Sequence, residues 1–178
     1  STLFPYTTLF RSDIPEDGVV NDIFTIDFPQ NITQVHFIKL RLFDTKGKEV
    51  ANTFYWRSND KYEGRKTLTG PTSSGFEDLS KLKQVQLKTR YQTYQEGDRH
   101  FIKAEIKNPS STVAFFTQLQ LLGQDKKPVR PSFYTDNFFS LLPGESKTVI
   151  IETAASDMPS EPTFVVKGWN IKPSSFKL

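Results

Sequence analysis

Cysteine is absent from the 178-residue chain. Without a thiol there is no disulfide framework, no thiolate metal site and no cysteine nucleophile. Histidine is nearly as scarce: His36 and His100 are the only two. They fall on different predicted strands, while a zinc site needs three or four convergent ligands, so both read as strand histidines. No Gly-x-Ser-x-Gly elbow occurs, and no glycine-rich loop precedes a helix, which leaves serine-hydrolase and phosphate-loop chemistry without a motif. No apolar run approaches the roughly 18 residues that a membrane-crossing helix requires. Neither charge sign dominates: 23 basic and 20 acidic residues give a formal charge of +3. Both signs are mixed along the chain, as on a solvated surface, and not clustered as on a nucleic-acid-binding face. No catalytic, cofactor-binding or metal-binding residue is assigned, and no cofactor is expected.

What is abundant is alternation and aromatic character. From residue 23 onward apolar and polar residues alternate with a period of two, and no segment competes with the 3.6-residue helical period. The expectation is an all-β chain. Residues 23–28 read as a first strand, with Phe24, Ile26 and Phe28 on one face. A second carries Ile38, Leu40 and Leu42, and a hairpin loop at Asp44-Thr45-Lys46-Gly47 leads to a third over residues 50–56. Residues 57–82 are polar and too long for a structureless loop in a compact domain. Ser74-Gly75-Phe76-Glu77 within it fits a capping box ahead of Leu79 and Leu82, so a short helical turn acting as a hinge is expected there, with a plain loop as the alternative.

Beyond residue 83 the strand signals recur at regular spacing. Val85, Leu87, Thr89 and Tyr91 alternate, Gln95-Glu96-Gly97-Asp98 turns, and Ile102, Ala104 and Ile106 alternate with Lys103, Glu105 and Lys107. Asn108-Pro109-Ser110-Ser111 turns again. Phe115, Leu119 and Leu121 face one way, with Phe116, Gln118 and Gln120 opposite. A polar connection over residues 123–128 leads to a Phe133-Tyr134 edge. Leu142-Pro143-Gly144-Glu145 is a type II turn, with Pro143 fixing φ and Gly144 supplying the positive φ. A β-branched strand over residues 148–153 and a final strand over residues 164–171 complete about seven strands, as in a whole sandwich.

Those motifs also carry a family resemblance. Asp136-Asn137-Phe138-Phe139 followed by Leu142-Pro143-Gly144-Glu145, Asn108-Pro109-Ser110 followed by Ala114-Phe115-Phe116 and Leu119, and Gly168-Trp169-Asn170 resemble the C-terminal immunoglobulin-like domain of glycoside hydrolase family 2 enzymes of the exo-β-D-glucosaminidase and β-mannosidase type. Phe37-Ile38-Lys39-Leu40, residues 44–47 and Phe54-Tyr55-Trp56 resemble the preceding sandwich domain. The resemblance implies two tandem immunoglobulin-like β-sandwiches, the first truncated at its N-terminal side. Residues 13–82 would hold the partial sandwich plus hinge, and residues 83–178 the complete one. Residues 1–12 resemble a translated sequencing-adapter segment and read as a non-native or disordered leader, or else as a strand capping the first sheet. They lack the basic region and apolar run of a signal peptide. The single methionine is Met158, and with no initiator at Ser1 the expectation is a fragment.

A glycosidase places two carboxylates across the scissile bond, about 5–5.5 Å apart when configuration is retained. Here Glu77 and Asp78, Glu96 and Asp98, and Asp136 and Glu145 can be counted but not paired, and acids in turns characteristically bond local backbone N–H groups. In the resembled family the acid and nucleophile are glutamates on a (β/α)8 barrel that lies before these domains, and such a barrel, at roughly 250 residues, does not fit this chain. The resemblance therefore implies a non-catalytic accessory portion that supports the barrel of a parent enzyme acting on terminal β-glucosaminides or β-mannosides. Its partner would be that barrel, with oligosaccharide contact open, and the resemblance alone points to a periplasmic or secreted parent. The alternative is a free-standing carbohydrate-binding or adhesion module, using Tyr55-Trp56, Tyr91, Tyr94, Phe133-Tyr134 and Trp169 as a stacking platform where the first reading has them packing.

Overall fold

Ten strands and two 3-10 turns form the regular structure among residues 8–59 and 75–178, the residues that the computed structural model describes. The chain divides into two units, Ser1–Leu79 and Ser80–Leu178. In the first, β1 (Val35–Phe43) pairs antiparallel with β2 (Glu49–Ser58). The hairpin forms because Gly47 takes a φ of 79° and the Asp44 carboxylate accepts the N–H groups of Lys46 and Lys48, each at 2.9 Å. Asp44 thus organises the turn that glycine permits. Of the hairpin residues only His36 is buried.

The second unit is a β-sandwich. Its strands are β3 (Lys88–Glu96), β4 (Arg99–Lys107), β5 (Ala114–Leu122), β6 (Phe133–Tyr134), β7 (Phe139–Leu141), β8 (Ser146–Ala154), β9 (Thr163–Gly168) and β10 (Ile171–Lys177). One sheet has the order β3-β4-β8-β6, the other β10-β9-β5-β7. The register puts Ile102 opposite Ile151 and Ala104 opposite Val149. These residues face Leu119, Leu121, Leu141, Phe164 and Val166 in a single buried core. Lys103, Glu105 and Lys107 alternate with the buried β4 residues and stay outside. The period of two decides which side chains leave water, at roughly 25 cal/mol per Å2 of apolar area buried.

The sandwich is held at its bends by asparagines. Asn108, fully buried, donates to the carbonyls of Thr112 at 2.8 Å and Leu141 at 3.0 Å and accepts from Ser110 N–H at 3.1 Å. Asn170, also buried, donates to the carbonyls of Lys83 at 2.9 Å and Val113 at 2.8 Å and accepts from Phe115 N–H at 2.9 Å. The backbone carbonyl of Asn170 takes the N–H of Val85 at 2.7 Å. The lead-in to β3 is thereby fastened along β10, where Val85 bridges Ile171 in parallel.

Three expectations change. Residues 23–28 form no strand. Alternation marks which side chains are apolar but supplies no partner for the backbone N–H and C=O groups. Phe24 instead stacks on Phe10 at 4.3 Å, and Phe28 meets His36 edge-on at 5.2 Å. The final segment is two strands, which raises the sandwich to eight. It breaks after Gly168, where the Trp169 N–H turns out of the ladder to the Phe115 carbonyl at 3.1 Å; residue 168 must be glycine, since a β-carbon there would lie 2.9 Å from the Phe116 carbonyl. Along β5 the alternation slips, because a register shift between Ala114 and Thr117 buries Ala114 and Phe115 in succession. At the junction a 3-10 turn covers Glu77–Lys81; Ser74, the expected cap, lies outside the described residues.

Replacing Asn170 by Ala leaves the Phe115 N–H and the Val113 and Lys83 carbonyls without their partner. The expected cost is roughly 3 kcal/mol or more. Asn170→Asp, which keeps the acceptor and loses both donors, should cost a comparable amount. Urea unfolding followed by circular dichroism measures both.

Candidate functional site

The acidic candidates are dispersed, and the two beside the Leu-Pro-Gly-Glu turn are committed to the fold. Glu145 accepts the Leu142 N–H at 2.8 Å, closing a turn in which Gly144 has a φ of 81°. Asp136 accepts the Asn137 N–H at 2.7 Å through one oxygen and pairs with Lys147 through the other. Glu77 and Asp78 lie on the 3-10 turn at the junction. Glu96 ends β3, and Asp98 follows in the β3–β4 turn, where its backbone carbonyl takes the Ala155 N–H at 2.7 Å. The histidines are in different units, and burial, with the Arg57 charge, lowers the pKa of His36. Among the described residues no group of three or more His, Asp or Glu is placed to hold a metal.

The aromatic candidates separate into structural and surface groups. Tyr91 packs edge-on against Phe164 and Phe176 and donates its hydroxyl proton to the Lys177 carbonyl at 2.8 Å, joining the edge strands of the two sheets. Tyr94 stacks on Phe101 across the β3–β4 pair at 5.0 Å. Tyr134 reaches from β6 to the other sheet, where its hydroxyl accepts the Leu121 N–H at 2.9 Å. Burial pushes this phenol above its ordinary 10.0. Phe133, its neighbour on β6, is exposed; in the first unit, Tyr55 and Trp56 on β2 are exposed as well.

A shallow pocket of about 170 Å3 lies where Tyr134 and Asn137 meet β5. It is smaller than the roughly 300 Å3 that small-molecule sites start from. Two of its polar residues are also engaged: Asn137 accepts the Leu119 N–H at 2.8 Å and donates to the Leu119 carbonyl at 3.0 Å, and Gln120 accepts from Lys167 at 3.1 Å. Asn137 thus serves β5 as a strand neighbour would.

One feature joins three separate sequence motifs. Phe115 and Phe116 from Ala-Phe-Phe, Phe138 from Asp-Asn-Phe-Phe and Trp169 from Gly-Trp-Asn form a continuous ring cluster. Phe115 touches Phe116 at 5.7 Å and Trp169 at 6.5 Å, and Phe116 touches Phe138 at 5.4 Å. Phe115 is buried, while Phe116, Phe138 and Trp169 are 39%, 48% and 56% exposed. Phe116 and Phe138 have φ values of 58° and 57°, the left-handed region that costs a bulky residue on the order of 1–3 kcal/mol. Hydrogen bonds hold them there: the Phe116 N–H donates to Ser140 Oγ at 3.2 Å and the Phe138 N–H to Asn137 Oδ1 at 3.1 Å. The first reading of the sequence has Trp169 packing and only the alternative has it on a surface platform; it is half exposed. Phe116 and Phe138 were not assigned, since nothing local in Ala-Phe-Phe or Asp-Asn-Phe-Phe marks a positive φ.

A family model described as the exo-β-D-glucosaminidase Ig-fold domain matches residues 67–171. The exo-β-D-glucosaminidase of Streptomyces avermitilis is 30% identical over 149 residues, covering 78% of this chain and 16% of that protein. That of Amycolatopsis orientalis is 27% identical over 157 residues, covering 82% and 15%. The crystal structure of an Amycolatopsis orientalis exo-chitosanase aligns with a TM-score of 0.75 at 22% identity, over 88% of this chain and 20% of that one. The chain therefore spans about 15% of the length of the curated relatives it matches.

Two outcomes follow from this geometry. The raised Tyr134 pKa means that the unfolded state releases the phenolic proton first. Its contribution to stability is whole below about pH 10 and is lost as pH rises from there through the folded pKa. Tyr134→Phe should flatten that alkaline loss, and at neutral pH should cost about 1–2 kcal/mol by orphaning the Leu121 N–H; urea midpoints across the two pH ranges test both. Phe138→Asn, at a φ that asparagine tolerates, is expected to leave the stability of the chain within about 0.5 kcal/mol. Phe164→Ala in the core should cost about 3–5 kcal/mol. Comparable losses for the two would show that the Phe138 ring is part of the fold's own packing.

Proposed function

We propose a function from a firm premise: the chain belongs to the exo-β-D-glucosaminidase Ig-fold domain family. It is a non-catalytic accessory β-sandwich portion of a family 2 glycoside hydrolase, and it supports a catalytic barrel carried elsewhere in the parent polypeptide. The parent removes terminal β-linked glucosamine residues from an oligosaccharide. The observation that carries this reading is coverage: the sandwich corresponds to 16% of the Streptomyces relative, so most of such an enzyme lies outside the matched part.

The chemistry of the chain agrees with that division. Glycoside hydrolysis needs two carboxylates free to exchange a proton and attack or activate water. Asp136 and Glu145 are instead bonded to backbone amides. A carboxylate spent on a turn stabilises the turn and is a poor acid or nucleophile. What the fold offers is rigidity, with two sheets locked at their bends by buried asparagines.

The chain alone is expected to release no p-nitrophenol from p-nitrophenyl β-D-glucosaminide, while the full parent polypeptide, cloned from the source DNA, hydrolyses it. Turnover by the 178-residue chain would sink the accessory reading. A parent active only on the β-mannoside would move the substrate to the other sugar.

A further inference from the structure

We propose that the face of the β1–β2 hairpin carrying Ile38, Leu40, Leu42, Ala51 and Tyr55 packs against the apolar face of a second β-sheet supplied by the rest of the parent polypeptide. The inference rests on the accessory-domain reading and adds to it the place where the larger protein takes hold of the first unit.

The two faces of the hairpin are built differently. Cross-strand partners share a face, and the faces alternate along each strand. The register sets Ile38 opposite Tyr55, Leu40 opposite Thr53 and Leu42 opposite Ala51, so one face holds six residues in succession without a charge. On the other face Arg41 reaches Glu49 through Nε and Nη2, each at 2.6 Å, and Asn52 donates to the same carboxylate at 2.7 Å. The Arg41 guanidinium also lies 4.8 Å from the Phe43 ring. One face thus satisfies its polar groups with one another at the water surface, while the other has little that water can solvate. An antiparallel sheet of that character packs its apolar face on a core.

The chain itself begins to cover the apolar face and leaves the cover incomplete. At the end away from the loop, Phe28 meets His36 edge-on at 5.2 Å and lies 5.9 Å from the Arg57 guanidinium. His36, the cross-strand partner of Arg57, is buried there. Toward the loop the same face opens: Leu40, Tyr55 and Leu42 are 38%, 47% and 59% exposed. A two-stranded hairpin is at best marginal in water until a third layer or further strands bury its apolar side, and a contiguous apolar patch left in water marks a contact surface.

The residue types identify the occupant. Leucine, isoleucine and alanine offer neither a flat ring on which a sugar could stack nor a charge to hold a polar ligand. What matches an aliphatic sheet face is a second sheet, packed about 10 Å away with interleaved side chains. The parent has chain to provide it, since the matched part is 15% to 16% of the curated relatives. The Ig-fold family model begins only at residue 67, beyond the hairpin. The likeness to the exo-chitosanase structure covers 88% of this chain, more than residues 67–178 can supply, so it reaches into the first unit. The second sheet completes the partial sandwich that the sequence leads one to expect over residues 13–82.

Hydroxyl-radical footprinting read by mass spectrometry tests this, comparing the 178-residue chain with the full parent polypeptide. Labelling of Leu42 and Tyr55 is expected to drop several-fold in the parent. Phe43, 41% exposed beside Arg41 on the opposite face, should keep its labelling and serves as the internal reference. Unchanged labelling of Leu42 and Tyr55 overturns the proposed surface; if that parent still hydrolyses p-nitrophenyl β-D-glucosaminide, the accessory reading stands without it. Equal protection of Phe43 overturns the choice of face. Protection that grows with concentration in the chain alone overturns the occupant in favour of a second copy. A parent that proves to carry no catalytic barrel removes the accessory reading itself, and with it the occupant.

Discussion

Buried asparagine amides are the constraint on which the sandwich depends. A β-sheet satisfies its own backbone only along its strands; wherever the chain bends or changes sheet, N–H and C=O groups leave the ladder and still need partners. Asn170 supplies them for three segments at once, reaching the backbone of Lys83, Val113 and Phe115, and Asn108 does the same for the bend that joins β4 to β5. A neutral amide suits this task because it carries donors and an acceptor on one short side chain, with no charge to desolvate. Fixing these bends sets the height at which Trp169 leaves β9 and the angle at which Phe115 enters β5.

The sequence was most readable where one residue's environment depends on its immediate neighbours. The exchange of Ile102, Ala104 and Ile106 with Lys103, Glu105 and Lys107 states a half-buried strand outright, and β4 has that burial. Leu142-Pro143-Gly144-Glu145 states its turn just as directly, and the Glu145 N–H closes it on the Leu142 carbonyl at 3.1 Å. What failed depended on distant partners. Residues 23–28 alternate correctly but have no ladder beside them. Residues 164–171 look continuous because the carbonyls that forbid a side chain at Gly168 belong to Phe115 and Phe116, some fifty positions away in a segment that periodicity does not connect to it.

The same division explains the candidate site. Trp169 is an unusual residue at the end of a strand pattern and draws attention by itself. Phe116 and Phe138 look like core phenylalanines, and their outward aim comes from a register shift in β5 and from the amide of Asn137, both products of tertiary pairing. Three motifs that carried a family resemblance separately become one surface only when the sheets close. Sequence likeness recognised the family, while the spatial meaning of the motifs had to come from the fold.

The open edge of β5 beyond β7 has a consequence of its own. Leu119 is matched there by the side chain of Asn137, Leu121 N–H by the Tyr134 hydroxyl, and the Leu121 carbonyl by the Val129 N–H. A lone strand edge is an invitation for another chain to add itself; here side chains occupy the positions that an incoming strand would need. The intervening tip is closed by its own local bonds, with the Gly123 N–H on the Lys127 carbonyl, the Lys126 N–H on the Gly123 carbonyl and the Lys127 N–H on the Asp125 carboxylate. It is therefore the natural place for foreign sequence, a label or a tether, to be spliced in without disturbing the architecture on either side.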